Sequence, residues 1–104
     1  MKPEYISISL RYHRKRKEQG LKHKDFKTEI TENSKIVIDG AEAIRKLVEI
    51  DGYDLHTIEN VLGFIIVQRN NGDDFWKDKA ISLNNIRSRW SNGITAFENA
   101  MEAM

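Results

Sequence analysis

The segment from Asp54 to Asn70 constrains the fold most strongly, because it is apolar on nearly every side of a helix. Asp54 is a suitable N-cap, and Asn70-Asn71-Gly72 ends the segment. Leu55, Ile58, Leu62 and Ile65/Ile66 recur at spacings of three and four, and the stripe is widened by Val61, Phe64 and Val67. A helix that is apolar on most sides must be covered by other elements. The segment therefore predicts the third, central and most buried helix of the fold.

A different secondary structure also fits part of this segment. Residues 64 to 69 read as a strand that turns at Asn71-Gly72, which is a hairpin signal. However, the chain has only one proline and six glycines in 104 residues, which leaves few turn signals for a many-stranded sheet. The sequence thus favours an all-α fold, a compact bundle of four to five helices that forms a single domain over residues 1–104.

Two earlier segments also have helical patterns. A first helix is expected at about residues 4–19, since Tyr5, Ile8 and Tyr12 share one face, although the alternation of Ile6, Ile8 and Leu10 fits a strand as well. A second helix is expected to begin after the N-cap Ser34 and to end before Asp51-Gly52. Its apolar positions, spaced by four, three and four residues, are Val37, Ala41, Ile44 and Val48.

The last helix is expected to begin at the N-cap Ser82 and to continue through Met101. Its apolar positions form one continuous face, with a kink expected at Ser91-Asn92-Gly93, and they are Ile86, Trp90, Ile94, Phe97 and Met101. Exposure of Ile94, Phe97 and Met101 together would indicate self-association, because a large apolar patch is rarely left in water.

The aromatic residues before this helix are expected to mark the core. Asp73 or Asp74 caps a short turn that places Phe75 and Trp76 against the core. Core packing is also expected for Trp90, and base stacking is the alternative for both tryptophans.

Composition excludes several classes of function. The chain has no cysteine, so it has no disulfide and no thiolate metal site, and its three histidines match no zinc spacing. It contains no glycine-rich phosphate loop and no nucleophile elbow, so we expect no catalytic residue, no metal and no cofactor. No apolar run reaches the roughly 18 to 20 residues of a membrane span. The sequence favours a non-enzymatic, cytoplasmic protein.

Charge is distributed unevenly along the chain. Residues 1–30 carry nine Lys/Arg against four Asp/Glu, whereas residues 31–74 carry four against nine. Such polarity can present a basic face to a polyanion although the net charge is only +1. The alternative interpretation is that these charges form an ordinary solvated helix surface that binds no ligand. The candidate nucleic-acid-binding residues are Arg11, Arg14, Lys15, Arg16, Lys17, Lys22 and Lys24, with Arg87 and Arg89 at the edge of the last apolar stripe.

Short motifs give the chain a resemblance to a known family. In order they are Ile44-Arg45-x-Leu47, Ile58-x-x-Val61-Leu62-x-Phe64, Asp74-Phe75-Trp76 and Ser82-Leu83-x-x-Ile86-Arg87-x-x-Trp90. They resemble the C-terminal region of phage-type replication initiation proteins, the replisome organisers and DnaD-like primosome components. In that family a Phe-Trp pair precedes a Ser-x-x-x-Leu-Arg-x-x-Trp segment, and here Ile86 replaces the usual leucine. The DnaD-type Tyr-x-x-x-Ile-x-x-x-Trp motif is matched from Ile86 to Trp90, but Ser82 stands at its tyrosine position.

The resemblance implies a helical module that family members attach to an N-terminal winged-helix domain, for which 104 residues leave no room. The chain is therefore expected to be an excised C-terminal module or a small relative encoded by a phage or mobile element. Such modules bind DNA and contact the replicative helicase or its loader. The sequence predicts a DNA-replication accessory domain that binds single- or double-stranded DNA weakly. The alternative is a protein-interaction or self-association module, a homo-oligomer in the latter case, without DNA binding.

Overall fold

The structure is a computed structural model that describes all residues from Met1 to Met104. It contains four α-helices, which are α1 (Pro3–Glu18), α2 (Lys35–Glu49), α3 (Leu55–Asn70) and α4 (Ala96–Ala103). Two 3₁₀ turns lie at Lys24–Lys27 and Leu83–Asn85, and the only β-type pairing is an isolated bridge between Arg89 and Thr95. The predicted all-α bundle is confirmed. Both strand alternatives, in α1 and in α3, are wrong.

Helix α1 contacts both of the other long helices. The Tyr5 hydroxyl donates to Glu49 and the Ser9 hydroxyl donates to the Val37 carbonyl, so α1 runs antiparallel to α2. Arg11 pairs with Glu59, and the Gln19 amide donates to Asn70, so α1 runs parallel to α3. The C-terminal ends of α1 and α3 therefore lie side by side.

The expectation that the third helix is the most buried is wrong. Seven residues of α2 are buried, against four of α3. The physical reason is residue size, because Gly40, Ala41 and Ala43 allow α1 and the turn at Leu83 to approach α2 closely. Helix α3 in contrast leaves one side open to solvent, where Val67 is 48% exposed. The fold is built around α2.

A buried histidine lies at the contact between α1 and α2. His13 is fully buried, its Nδ1 lies 2.8 Å from the Ser9 carbonyl, and its Nε2 lies 3.2 Å from the Leu83 amide. Since Nε2 accepts the Leu83 N–H, the ring proton must sit on Nδ1, which donates to Ser9. One neutral imidazole thus joins α1 to the turn that precedes the C-terminal segment.

The C-terminal segment differs most from the prediction. Ser82 caps only a 3₁₀ turn, and the chain then folds back, with the Trp90 amide donating to the Ile94 carbonyl. Gly93 adopts a φ of 88°, a left-handed conformation that continuous helix excludes. Helix α4 begins only at Ala96, after a capping box formed by Thr95 and Glu98.

Because the chain folds back here, it does not form the exposed apolar stripe that would have indicated self-association. The Phe97 amide donates to the Ile86 carbonyl, and both side chains are fully buried in the main core. Ile94 is half-buried, and Met101 at 37% is the one exposed member of the predicted stripe. The apolar stripe Ile94, Phe97 and Met101 is therefore not exposed as a unit.

We predict that Gly40→Ala destabilises the protein by about 1 to 3 kcal/mol. A Cβ there would lie 2.4 Å from the Ser9 hydroxyl and 2.7 Å from His13 Cε1. Gly63→Ala is the matched control, because its Cβ would meet nothing within 4 Å and alanine favours helix by about 1 kcal/mol. Urea denaturation should lower the midpoint for the first variant and raise it for the second. Equal effects would contradict the packing described for Gly40.

We also predict a pH dependence that originates at His13. Burial lowers the pKa of His13 to about 4, from 6.5. Between these values the unfolded chain binds a proton that the folded chain does not, so stability is lost as pH falls through this window. The expected loss is about 1.5 kcal/mol from pH 6.5 to pH 5, where carboxylates stay mostly ionised. In His13→Gln, unfolding curves over the same range should show this slope removed; an unchanged slope would assign it elsewhere.

Candidate nucleic-acid interface

The connector, residues 20–33, is held against the C-terminal half of α1 by two of the predicted cations. Arg14 Nε donates to the Ile30 carbonyl at 3.0 Å, and Lys17 Nζ donates to the Thr28 carbonyl at 2.8 Å. Below these contacts lies a small second core of Phe26, Ile30, Ile36 and Val37. The connector is therefore packed beside α1, which places its own lysines next to those of the helix.

Five cations of this region form no salt bridge with any carboxylate of the chain. The basic surface, as we name it, consists of Arg14, Lys17, Lys22, Lys24 and Lys27. All five are exposed. Lys22, Lys24 and Lys27 surround an open depression that is also lined by Leu21, His23 and Phe26. Lys27 was not among the predicted site residues, although its place in the same charged segment was visible in the sequence.

The apolar floor of this depression is ordered by local contacts. His23 Nδ1 accepts the Asp25 amide at 3.1 Å, which caps the 3₁₀ turn, and the His23 ring lies 5.4 Å from the Phe26 ring between centroids. Phe26 itself is buried in the second core. Lys24 and Lys27 therefore project from a capped turn, and Lys22 lies just before its cap.

Arg11 and Lys15 lie on a different side of α1, the side that faces α3. Arg11 is 3.1 Å from Glu59, and Lys15 is 3.9 Å from Glu18. Both pairs are exposed, so each contributes about 1 kcal/mol or less and can exchange partners. These two predicted residues carry partly neutralised charge at the edge of the basic surface.

Arg16 is not an interface residue, which corrects its predicted role. Its side chain is fully buried, and its guanidinium donates to the Lys79 carbonyl at 2.7 Å and to Gln19 Oε1 at 2.8 Å. The guanidinium carbon also lies 5.9 Å from the Tyr12 ring centroid. Burial lowers the pKa of Arg16 from its ordinary value. The run of four basic residues thus holds three surface cations and one structural one.

A second arginine supports the same buried network. Arg69 Nη2 lies 3.5 Å from the Gln19 carbonyl, and Gln19 Nε2 donates to the Ile66 carbonyl at 2.9 Å. Because α1 and α3 both end here, their negative dipole ends face the two guanidinium groups. No carboxylate lies within salt-bridge distance of Arg16, so carbonyl and amide oxygens and the helix ends compensate its charge against the repulsion from Arg69, and the Nε atoms of both arginines are buried without a hydrogen-bond partner.

Arg87 and Arg89 lie apart from the basic surface, and their predicted contact with nucleic acid stays a prediction. Arg87 binds Asp51 through two hydrogen bonds of 2.7 and 3.0 Å, and they hold the pKa of Asp51 below its ordinary value. Arg89 donates to the Gly93 carbonyl at 2.6 Å. Asp51 follows the C-terminal end of α2, whereas the connector precedes its N-terminal end. The two groups are therefore separated by about 22 Å, the length of a 15-residue helix.

The aromatic residues are divided between core and surface. Trp76 is buried as predicted, and Asp73 Oδ1 caps its turn by accepting the amides of Phe75 and Trp76. Trp90 is half-buried against the core. Phe75, in contrast, is 54% exposed, so its expected place in the core is wrong. The reason is crowding, since Trp76 and Trp90 occupy the space with ring centroids 5.7 Å apart.

The structure holds no cluster of three or more His, Asp or Glu residues arranged around a metal position. None of its helices combines the length and the apolar character that a membrane span needs.

Comparison with known proteins returned no relative. No protein-family model, no curated protein and no solved structure matches this chain. The resemblance to replisome organisers and DnaD-like components therefore stays a prediction.

We predict that Arg16→Ala destabilises the fold by about 2 to 4 kcal/mol, since it removes a fully buried side chain and leaves part-buried acceptors at Lys79 and Gln19 without their donor. Arg14→Ala is the matched control. It removes one part-buried hydrogen bond from the same helix, on an exposed side chain, and should cost about 1 kcal/mol. Thermal melts of both variants test the assignment. If Arg16→Ala melts with the wild type, the guanidinium has no structural role.

Proposed function

We propose that this protein is a non-enzymatic DNA-replication accessory module that binds DNA weakly and without sequence preference through the basic surface. The observation that carries the proposal is the set of five exposed cations without a carboxylate partner, from Arg14 to Lys27, gathered at one end of α1. Unpaired like charges repel one another, and a bound polyanion removes that cost.

The chemistry of the basic surface suits phosphate rather than base edges. Four of its five members are lysines, which act as mobile point charges, whereas base recognition in duplex DNA depends on planar, bidentate groups held in a groove. The one arginine, Arg14, already uses its Nε on the Ile30 carbonyl. Affinity should therefore come from counterion release and should fall steeply with salt.

The replication setting rests on the resemblance of Phe75-Trp76 and the Ser82–Trp90 segment to replisome organisers and DnaD-like components. Within that setting we propose a contact with the replicative helicase or its loader. The DNA-binding surface lies at one end of the α1–α2 pair, so the Asp51 end of the molecule stays free for a protein partner.

A second candidate function is a protein-interaction module without DNA binding. One observation favours it, a groove of about 500 Å³ between α1 and α3 whose apolar lining is Ile8, Tyr12, Leu62 and Ile66. Gly63 lies in this groove, and a side chain there would meet nothing within 4 Å. Glycine inside a helix costs about 1 kcal/mol relative to alanine, which close approach by a partner backbone would offset.

Removal of two lysines of the basic surface tests the first proposal. In Lys22→Ala/Lys24→Ala the fold should be unchanged, because neither ammonium group takes part in a hydrogen bond or salt bridge of the structure. If both contact phosphate on duplex DNA, the slope of log affinity against log salt should become shallower by about 1.8, that is 0.9 per contact. Fluorescence anisotropy over a salt series measures this slope.

The matched control is Lys2→Ala/Lys46→Ala, which removes the same charge outside the basic surface. It should leave the salt slope close to that of the wild type. If wild-type protein does not bind DNA at low salt, the DNA-binding proposal is wrong. In that case Gly63→Leu, which fills the groove, should abolish capture of helicase or loader if the second candidate is correct.

A further inference from the structure

We infer that the cleft beside Phe75 binds an unpaired nucleobase, so that the protein prefers single-stranded nucleic acid to duplex. The inference deepens the proposed function and rests on it, because the basic surface supplies the phosphate contacts on either kind of strand. The observation that supports the inference is the Phe75 side chain, which is 54% exposed beside a cleft of about 480 Å³. This volume is large enough to hold a base.

Phe75 is held rigidly although it is exposed. Its amide donates to Asp73 Oδ1 at 2.9 Å, and its ring packs edge to face against Trp76 and Trp90, with centroids 5.2 and 5.8 Å away. A fixed aromatic ring loses little entropy when a base stacks on it. Trp90, half-buried, forms another wall of the same cleft and adds a second aromatic surface.

A cation is fixed beside this ring. Lys79 Nζ lies 5.4 Å from the Phe75 centroid and lines the cleft. The Lys79 backbone is restrained, since its carbonyl accepts from buried Arg16 and the next residue, Ala80, is held at a φ of 50° by a hydrogen bond from the Tyr12 hydroxyl. A phosphate next to a stacked base would come within reach of this ammonium group.

The rest of the lining favours a nucleobase over an apolar side chain of a protein partner. Ser82, Asn85 and Ser91 contribute hydroxyl and amide groups to the cleft, and Asp78 contributes a carboxylate, which can accept from a base amino group but would repel a phosphate. Unpaired bases present donors and acceptors on their edges, which such groups can satisfy, whereas duplex DNA hides these edges and its stacked faces.

The cleft lies near the basic surface. The carbonyl of the cleft residue Lys79 accepts from Arg16, which precedes Lys17 in α1, and Ile81 packs against the second core beneath the connector. A strand that lies on Lys22 and Lys24 therefore needs only to cross the end of α1 to reach Phe75. Backbone contacts on one side and base stacking on the other are the two components of single-strand binding.

Phe75→Ala is the decisive variant. Because the side chain is more than half exposed, the fold should persist, and circular dichroism checks this. We expect affinity for an oligothymidylate to fall about 10-fold, the loss of one base stacked on an aromatic ring, while affinity for duplex DNA of the same length stays unchanged. Phe75→Tyr should keep the single-strand affinity of the wild type. Ile50→Ala removes a similarly exposed apolar side chain at the C-terminal end of α2, away from the cleft, and should have no effect.

An abasic oligonucleotide of the same length and charge separates stacking from charge. The wild type should bind it about as weakly as Phe75→Ala binds oligothymidylate, and only oligothymidylate should quench the tryptophan emission. If wild-type protein binds single strand, duplex and abasic strand equally and Phe75→Ala changes none of them, the nucleobase cleft is wrong while the basic surface stands. If no nucleic acid binds at low salt, the proposed function itself fails. Loss of helicase or loader capture in Phe75→Ala, with all nucleic-acid affinities unchanged, would assign the cleft to a protein partner instead.

Discussion

The close packing of α1 against α2 at Gly40 determines where the other elements lie. Without a side chain at Gly40, the Ser9 hydroxyl and the His13 ring fill the space, and the ring then accepts the Leu83 amide. That hydrogen bond fixes the start of the C-terminal segment. Because the imidazole is neutral and fully buried, the same contact makes stability fall with pH below about 6.5, and above pH 5 exposed carboxylates contribute little to that slope.

The position of Arg16 follows from this packing. Tyr5, Ile8 and Tyr12 bury one face of α1, and one turn after Tyr12 that face brings Arg16 into the interior. There it binds Gln19 and the Lys79 carbonyl, so it ties the loop carrying Phe75 to the ends of two helices. The remaining cations of the run point away from the core, and the connector adds its lysines to them. The cation on the buried face of α1 therefore has a structural role, whereas the cations on its other faces are available to a ligand.

The two proposed contacts differ in how they use this architecture. The basic surface needs only charge density, so its lysines can stay mobile on a fixed turn. The Phe75 cleft needs geometry, and its backbone is accordingly held by Asp73, Arg16 and Tyr12. Both lie near the end of α1, where Arg16 contacts Gln19 and the Lys79 carbonyl.

The sequence by itself determined the helical class, the limits of α1 to α3 and the segment that carries the unpaired cations, because these features follow from local spacing. The predicted cap Ser34 stands at the start of α2, but its hydroxyl accepts the Thr31 amide and makes no cap hydrogen bond to the helix. Asp54 and Asp73 cap the elements that the pattern assigned to them. Only the tertiary structure decided that α2 rather than α3 is the most buried helix, since burial depends on how closely neighbours approach small residues such as Gly40. It also decided that the apolar spacing from Ile86 to Met101 belongs to a folded-back segment and a short helix, because Gly93 permits a left-handed turn that periodicity does not reveal. The burial of Arg16 and the exposure of Phe75 also depend on the tertiary structure, because side chains from different elements compete for the same space in the core.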